Sequence, residues 1–143
     1  VLAQYGYIET AYSLLLQDTK PGWLYAVKKG ATTIWETWDG INEKGEVKES
    51  LNHYSYGAVT GWLFSGVCGI SLNEGKISIT PQPNPQLGYA KASYQSPVGR
   101  IVSGWKYEND KPIYEIEIPS NTEAEVTLPD GRKRILTAGS YKL

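Results

Sequence analysis

The sequence contains no methionine and only one cysteine, one histidine and one phenylalanine in 143 residues. A lone Cys68 excludes an intramolecular disulfide framework, and with His53 as its only soft companion it excludes a Cys/His zinc constellation. No stretch approaches the roughly 18–20 apolar residues of a membrane span, and no signal peptide opens the chain. Charge of either sign is not in surplus. Fourteen basic against 15 acidic residues, net −1, leave no footprint for nucleic acid or an anionic membrane. The glycines form no phosphate-binding fingerprint and no Gly-x-Ser-x-Gly elbow occurs, so no cofactor is expected. The missing initiator and the abrupt start at Val1 point to a processed or excised piece, which leaves localisation open.

What is present is a Tyr/Trp excess. Eleven Tyr and five Trp stand against the single Phe. Aromatics with a polar handle are favoured where one side is apolar and the other wet, as in pockets, interfaces and sugar platforms. Cys68 itself lies among Gly66, Val67, Gly69 and Ile70, the setting of a buried structural thiol.

The chain changes period near residue 70. Tyr7, Ala11, Leu14 and Leu15 share one face of a helix ending near Gln17-Asp18, and Pro21-Gly22 breaks it. A second short helix is expected from Trp23 to Lys29, stopped by Gly30. Residues 31–38 read as extended or irregular, and 39–48 as a polar loop. A third helix is expected from about Tyr54 to Cys68, apolar nearly all round and therefore packed on several sides. From Gly75 the period is two. Six short runs (76–80, 89–95, 100–107, 113–118, 123–128 and 132–136) predict an antiparallel β-sandwich, with a hairpin at Asp130-Gly131. The fold class is α+β in two segments, 1–70 and 71–143. Three helices in 70 residues cannot bury themselves well, so the β part, a partner chain, self-association through exposed helices or the rest of a larger helical domain should cover them, the last being the favoured reading.

The densest chemistry lies at Thr33-Ile34-Trp35-Glu36-Thr37-Trp38-Asp39. A carboxylate between two indoles is partly desolvated, which suits Glu36 to proton transfer, and indole faces can stack on a pyranose. The competing reading is a strand with Glu36 outward and the tryptophans in a core. A second cluster, Ser50-Leu51-Asn52-His53-Tyr54, stands at the expected entry to the third helix. There free N–H groups can grip sugar hydroxyls, or Ser50 or Asn52 serves simply as an N-cap. Asp18 and Asp39 read as helix-end and turn residues, and Glu43, Glu46 and Glu49 as solvated loop charges.

At these residues the sequence resembles the C-terminal part of bacterial α-L-rhamnosidases of glycoside hydrolase family 78. The matching stretches are Gly6-Tyr7 through Leu14-Leu15-Leu16-Gln17-Asp18-Thr19, Gly30 through Asp39, Ser50 through Tyr54 with Gly57-Ala58-Val59, Ala90 through Tyr94, Ser96-Pro97-Val98-Gly99, and Leu128-Pro129-Asp130-Gly131. The resemblance implies the last helices of an (α/α)6 toroid in 1–70 and a C-terminal β-sandwich in 71–143. It also implies inverting hydrolysis of terminal α-L-rhamnosides by two carboxyl groups set roughly 6.5–9.5 Å apart. Glu36 matches the family's general base, and Trp35, Trp38 and His53 match or adjoin positions lining the rhamnose pocket. The family's general acid lies in sequence not present here, so the chain alone should be inactive. Rhamnose-containing glycosides and the remainder of the catalytic domain are the implied partners. Two other readings compete with this one. The first is a non-enzymatic carbohydrate-binding or interaction module resting on Tyr89, Tyr94, Trp105 and Tyr107, and the second is a different toroidal glycosidase or phosphorylase.

Overall fold

The computed structural model describes all residues from 1 to 143, which form two compact units, Val1–Thr60 and Gly61–Leu143. No helix is long and apolar enough to cross a membrane.

The first unit holds α1 (Ile8–Leu15) and α2 (Trp23–Lys28), followed by a long irregular segment. Helix α2 ends where the sequence predicts, because Gly30 takes φ +84° and releases the chain from the helical path. Helix α1 differs in its buried face. Ala11 and Tyr12 are buried, whereas Tyr7 and Leu14 of the expected face are exposed. Residues 41–47 form a small solvated loop closed by an Ile41–Val47 bridge, with Asn42 Oδ1 accepting the N–H groups of Lys44 and Glu46.

The expected continuous third helix is broken into three pieces: a 3-10 turn at Tyr56–Ala58, α3 at Val59–Trp62 and a π-turn at Leu63–Val67. Glycines at 57, 61 and 66 explain the weak ladder. At Gly66 the Trp62 indole takes the space a Cβ would need. Within this chain the stretch is not packed on several sides. Tyr54 is 85% exposed and Phe64 is exposed, whereas Val67 and Cys68 are buried.

The second unit is one curled six-stranded sheet: β1 (Ile70–Asn73), β2 (Lys76–Ile79), β3 (Tyr89–Ser96), β4 (Gly99–Glu108), β5 (Lys111–Thr127) and β6 (Lys133–Lys142). The strand order is β1-β2-β5-β4-β3, with β6 pairing β5. All pairs are antiparallel except β2–β5, so the sheet is mixed where an antiparallel one was expected. The runs 113–118 and 123–128 belong to a single 17-residue strand. Its register shifts between Ile118 and Glu123, where Asn121 takes φ +59° and Thr122 Oγ1 donates to Pro119 O at 2.7 Å. That bulge bends the strand, so its first half pairs with β4 and its second half with β2.

The alternation read from sequence in β5 holds. Tyr114, Ile116 and Ile118 are buried together with Ile77, Ile79, Ile101, Ala124 and Val126. Two buried hydrogen bonds anchor the segment before β1 to this core. Ser103 Oγ donates to Cys68 O at 2.6 Å and Trp105 Nε1 donates to Val67 O at 2.8 Å. Gly69, at φ +73°, follows directly, and a Cβ there would run into the Thr80–Pro81 backbone. Cys68 is a structural thiol, pushed up to about 11 by burial. Trp105 therefore fills the core, while Tyr89 and Tyr94 stay exposed.

Candidate functional site

Two backbone bonds lay residues 34–36 alongside 50–53. Glu36 N donates to Ser50 O at 2.9 Å and His53 N donates to Ile34 O at 2.8 Å. Thr33 Oγ1 adds a bond to Leu51 O. His53 is thereby placed on an irregular segment beside residues 34–36, not at a helix N-terminus; the first helical turn beyond it begins at Tyr56, with no side-chain cap. Ser50 and Asn52 bond each other locally: Ser50 Oγ accepts the Asn52 N–H at 3.2 Å and donates to Asn52 O at 3.1 Å.

This alignment brings Glu36 and His53 together. Glu36 Oε2 accepts the Ser50 N–H at 3.2 Å, and Oε1 lies 3.9 Å from His53 Nε2. The Glu36 side chain is 40% exposed, so the desolvated carboxylate expected between two indoles is instead open to solvent on one side. His53 Nδ1 accepts the Ser55 N–H at 3.3 Å, and Nε2 is the ring nitrogen that lies toward the carboxylate. The ring stacks on Tyr54, with centroids 5.0 Å apart.

The tryptophans take different places. Trp35 is buried against Gly40, where a Cβ would lie 3.2 Å from Trp35 Cβ and 3.1 Å from Leu51 Cδ2, so its ring presents no open face. Trp38 is half-buried, stacked on Tyr56 at 3.9 Å and edge-on to Trp23 at 5.4 Å. Trp23 Nε1 donates to Tyr56 O at 2.9 Å and ties the trio together. Neither Trp23 nor Tyr56 stood out in the sequence as a partner of Trp38, because the contact joins residues far apart in the chain. The trio lines an apolar cavity of about 50 Å³, too small for a sugar ring.

Asp39 is more than a turn residue. Its carboxylate accepts from Lys48 Nζ at 2.9 Å and has Lys20 Nζ at 3.9 Å. The hydrogen bond from Lys48 holds Asp39 below the usual carboxylate range. Asp18 is paired with Lys28, whose hydrogen bond lowers it likewise.

Residues 1–67 match the family model described as the bacterial alpha-L-rhamnosidase 6 hairpin glycosidase domain, and residues 75–142 match the bacterial alpha-L-rhamnosidase C-terminal domain. The chain belongs to the bacterial α-L-rhamnosidase family. It is 38% identical over 136 residues to an alpha-L-rhamnosidase of Formosa agariphila and 35% identical to one of Streptomyces avermitilis, in each case over 90% of this chain. It spans only 15% and 13% of the length of those relatives, at their C-terminal end. Among solved structures, the alpha-L-rhamnosidase of Aspergillus terreus aligns over 99% of this chain and 18% of its own, with TM-score 0.88 and 32% identity. The Streptomyces avermitilis alpha-L-rhamnosidase complexed with L-rhamnose aligns over 99% of this chain and 16% of its own, with TM-score 0.84 and 30% identity.

Proposed function

We propose that this chain is the C-terminal stretch of an inverting α-L-rhamnosidase that hydrolyses terminal α-L-rhamnosides, and that Glu36 is its general base. The observation that carries this reading is the Glu36 carboxylate, which accepts the Ser50 N–H and has His53 Nε2 3.9 Å away while remaining open on one side. A base in an inverting reaction needs this arrangement: a fixed carboxylate oxygen with room beside it for the attacking water. In this reading His53 Nε2 contacts a sugar hydroxyl and Trp38 borders the sugar. Trp35, buried behind the same segment, holds the loop that aims Glu36.

Residues 1–70 are the closing helices of an (α/α)6 toroid, and 71–143 are its C-terminal β domain. Exposed Tyr5, Tyr7, Leu14, Tyr54 and Phe64 favour this reading, because they are apolar or amphipathic surface that further helices would cover. The relatives' much greater length leaves room for those helices and for the general acid. With one of its two carboxyl groups, the isolated chain does not turn over rhamnosides.

In the full-length enzyme, Glu36→Gln should lower hydrolysis of an aryl α-L-rhamnoside by at least about a hundredfold while rhamnose still binds. Near-normal turnover by that variant would remove Glu36 from the base role. Inverted stereochemistry of the released sugar, read by NMR, tests the mechanism separately.

A further inference from the structure

The outer face of β3, β4 and β5 carries a built depression that the rhamnoside reading does not use. Cross-strand register sets two adjacent rows on this face: Tyr89–Lys106–Ile113, and Lys91–Gly104–Glu115–Lys142. Gly104 sits in the interior of a central strand, where glycine weakens a sheet unless something must approach closely. A Cβ at 104 would meet Lys91 Cγ at 2.9 Å. The glycine thus lets Lys91 lie across the strand and donate to Glu115 Oε2 at 2.8 Å, forming a polar floor. Tyr89, 70% exposed, stands beside that floor as an open ring. The depression measures about 150 Å³, well below the roughly 300 Å³ at which drug-sized pockets begin, a size for one sugar ring rather than a cofactor.

Charge narrows the ligand. Lys91 is spent on Glu115, and Lys106 lies 3.6 Å from Glu108. Lys142 lines the same depression and acts on Glu115 only through space, so three ammonium groups face two carboxylates and one positive charge is in surplus at the site. We infer that this face is a glycan-binding subsite for a uronic acid residue, the sugar ring lying on Tyr89, its hydroxyls on the Lys91–Glu115 pair and its carboxylate on Lys142. An aromatic face serves the apolar C–H side of a pyranose, and a charge-assisted bond to Lys142 supplies the discrimination against neutral sugars.

The test is an NMR titration of the 143-residue chain with trigalacturonate, with maltotriose as the neutral arm. Saturable amide shifts at Tyr89, Lys91, Gly104, Lys106 and Lys142 are expected with trigalacturonate only. Tyr89→Ala and Lys142→Gln should each weaken binding by at least about fivefold, while Tyr5→Ala leaves it unchanged. The subsite is overturned if trigalacturonate gives no saturable shifts, or gives them only around Glu36 and His53. It is equally overturned if Tyr89→Ala binds as well as the parent. Equal binding of maltotriose overturns the uronate assignment. None of these readouts depends on rhamnoside hydrolysis.

Discussion

Replacing Ser103 with alanine deletes one oxygen atom from a fully buried side chain. In the native chain that hydroxyl donates to Cys68 O at 2.6 Å, and Cys68 is buried too. The variant loses a hydrogen bond and leaves a buried carbonyl with one partner fewer, a combined cost of about 2 kcal/mol. For a unit of this size, about 2 kcal/mol lowers Tm by roughly 10 °C. Trp105→Phe removes the neighbouring bond, Nε1 to Val67 O at 2.8 Å, and keeps most of the ring volume. Val67 O retains the Gln82 N–H at 3.2 Å, so the second loss should be the smaller one. Because the two acceptors are consecutive carbonyls, the double variant should cost less than the sum of the singles by at least about 0.5 kcal/mol. Urea titrations followed at β4 and β5 amides by NMR measure all three. A Ser103→Ala midpoint unchanged within error, or strict additivity, would refute the idea that these bonds act together to fasten residues 67–68 to the sheet.

Gly69 and Gly131 both take positive φ, but a Cβ at Gly69 meets the Thr80–Pro81 backbone whereas at Gly131 it meets open space. Gly131→Ala should therefore cost about 1 kcal/mol from backbone conformation alone, and Gly69→Ala several times more, read as urea midpoints. Equal midpoints would contradict the packing at Gly69. Burial pushes the Cys68 thiol up to about 11, and burial together with the Asp130 charge pushes Tyr114 up to about 12. Both groups hold their proton longer folded than unfolded, so this stability is intact below about pH 9 and is lost as pH rises through 11 and 12. Each shift corresponds to roughly 2–3 kcal/mol. Tyr114→Phe should flatten the alkaline fall in the urea midpoint, and an unchanged pH profile in that variant would refute its part.

The sequence discloses local structure better than it discloses partnership. Helix α2 is legible because Gly22 and Gly30 bracket it, and the buried face of β5 because strict alternation leaves one register. The break in the third helix is hidden, since glycine spacing marks a weak ladder without saying whether it turns 3-10 or π. The single long β5 is hidden as well. The runs 113–118 and 123–128 read as two strands, yet the residues between them form a bulge that bends one strand. The same limit applies at the site. The segment carrying Glu36 and that carrying His53 each stand out alone, but the alignment that joins them is made by main-chain atoms, which have no signature in residue identity.

The bend in β5 also sets an order of events. Ile77 can pair with Ala124 only after β3 and β4 have been made, so the outer edge of the β1–β2 hairpin has no neighbour until late in synthesis. Such distant pairings form slowly, and an unpaired edge is a template for the wrong strand. A chain interrupted between Pro119 and Thr122 would keep β3, β4 and half of β5 yet leave the first hairpin without its partner strand, its edge open to wrong pairing.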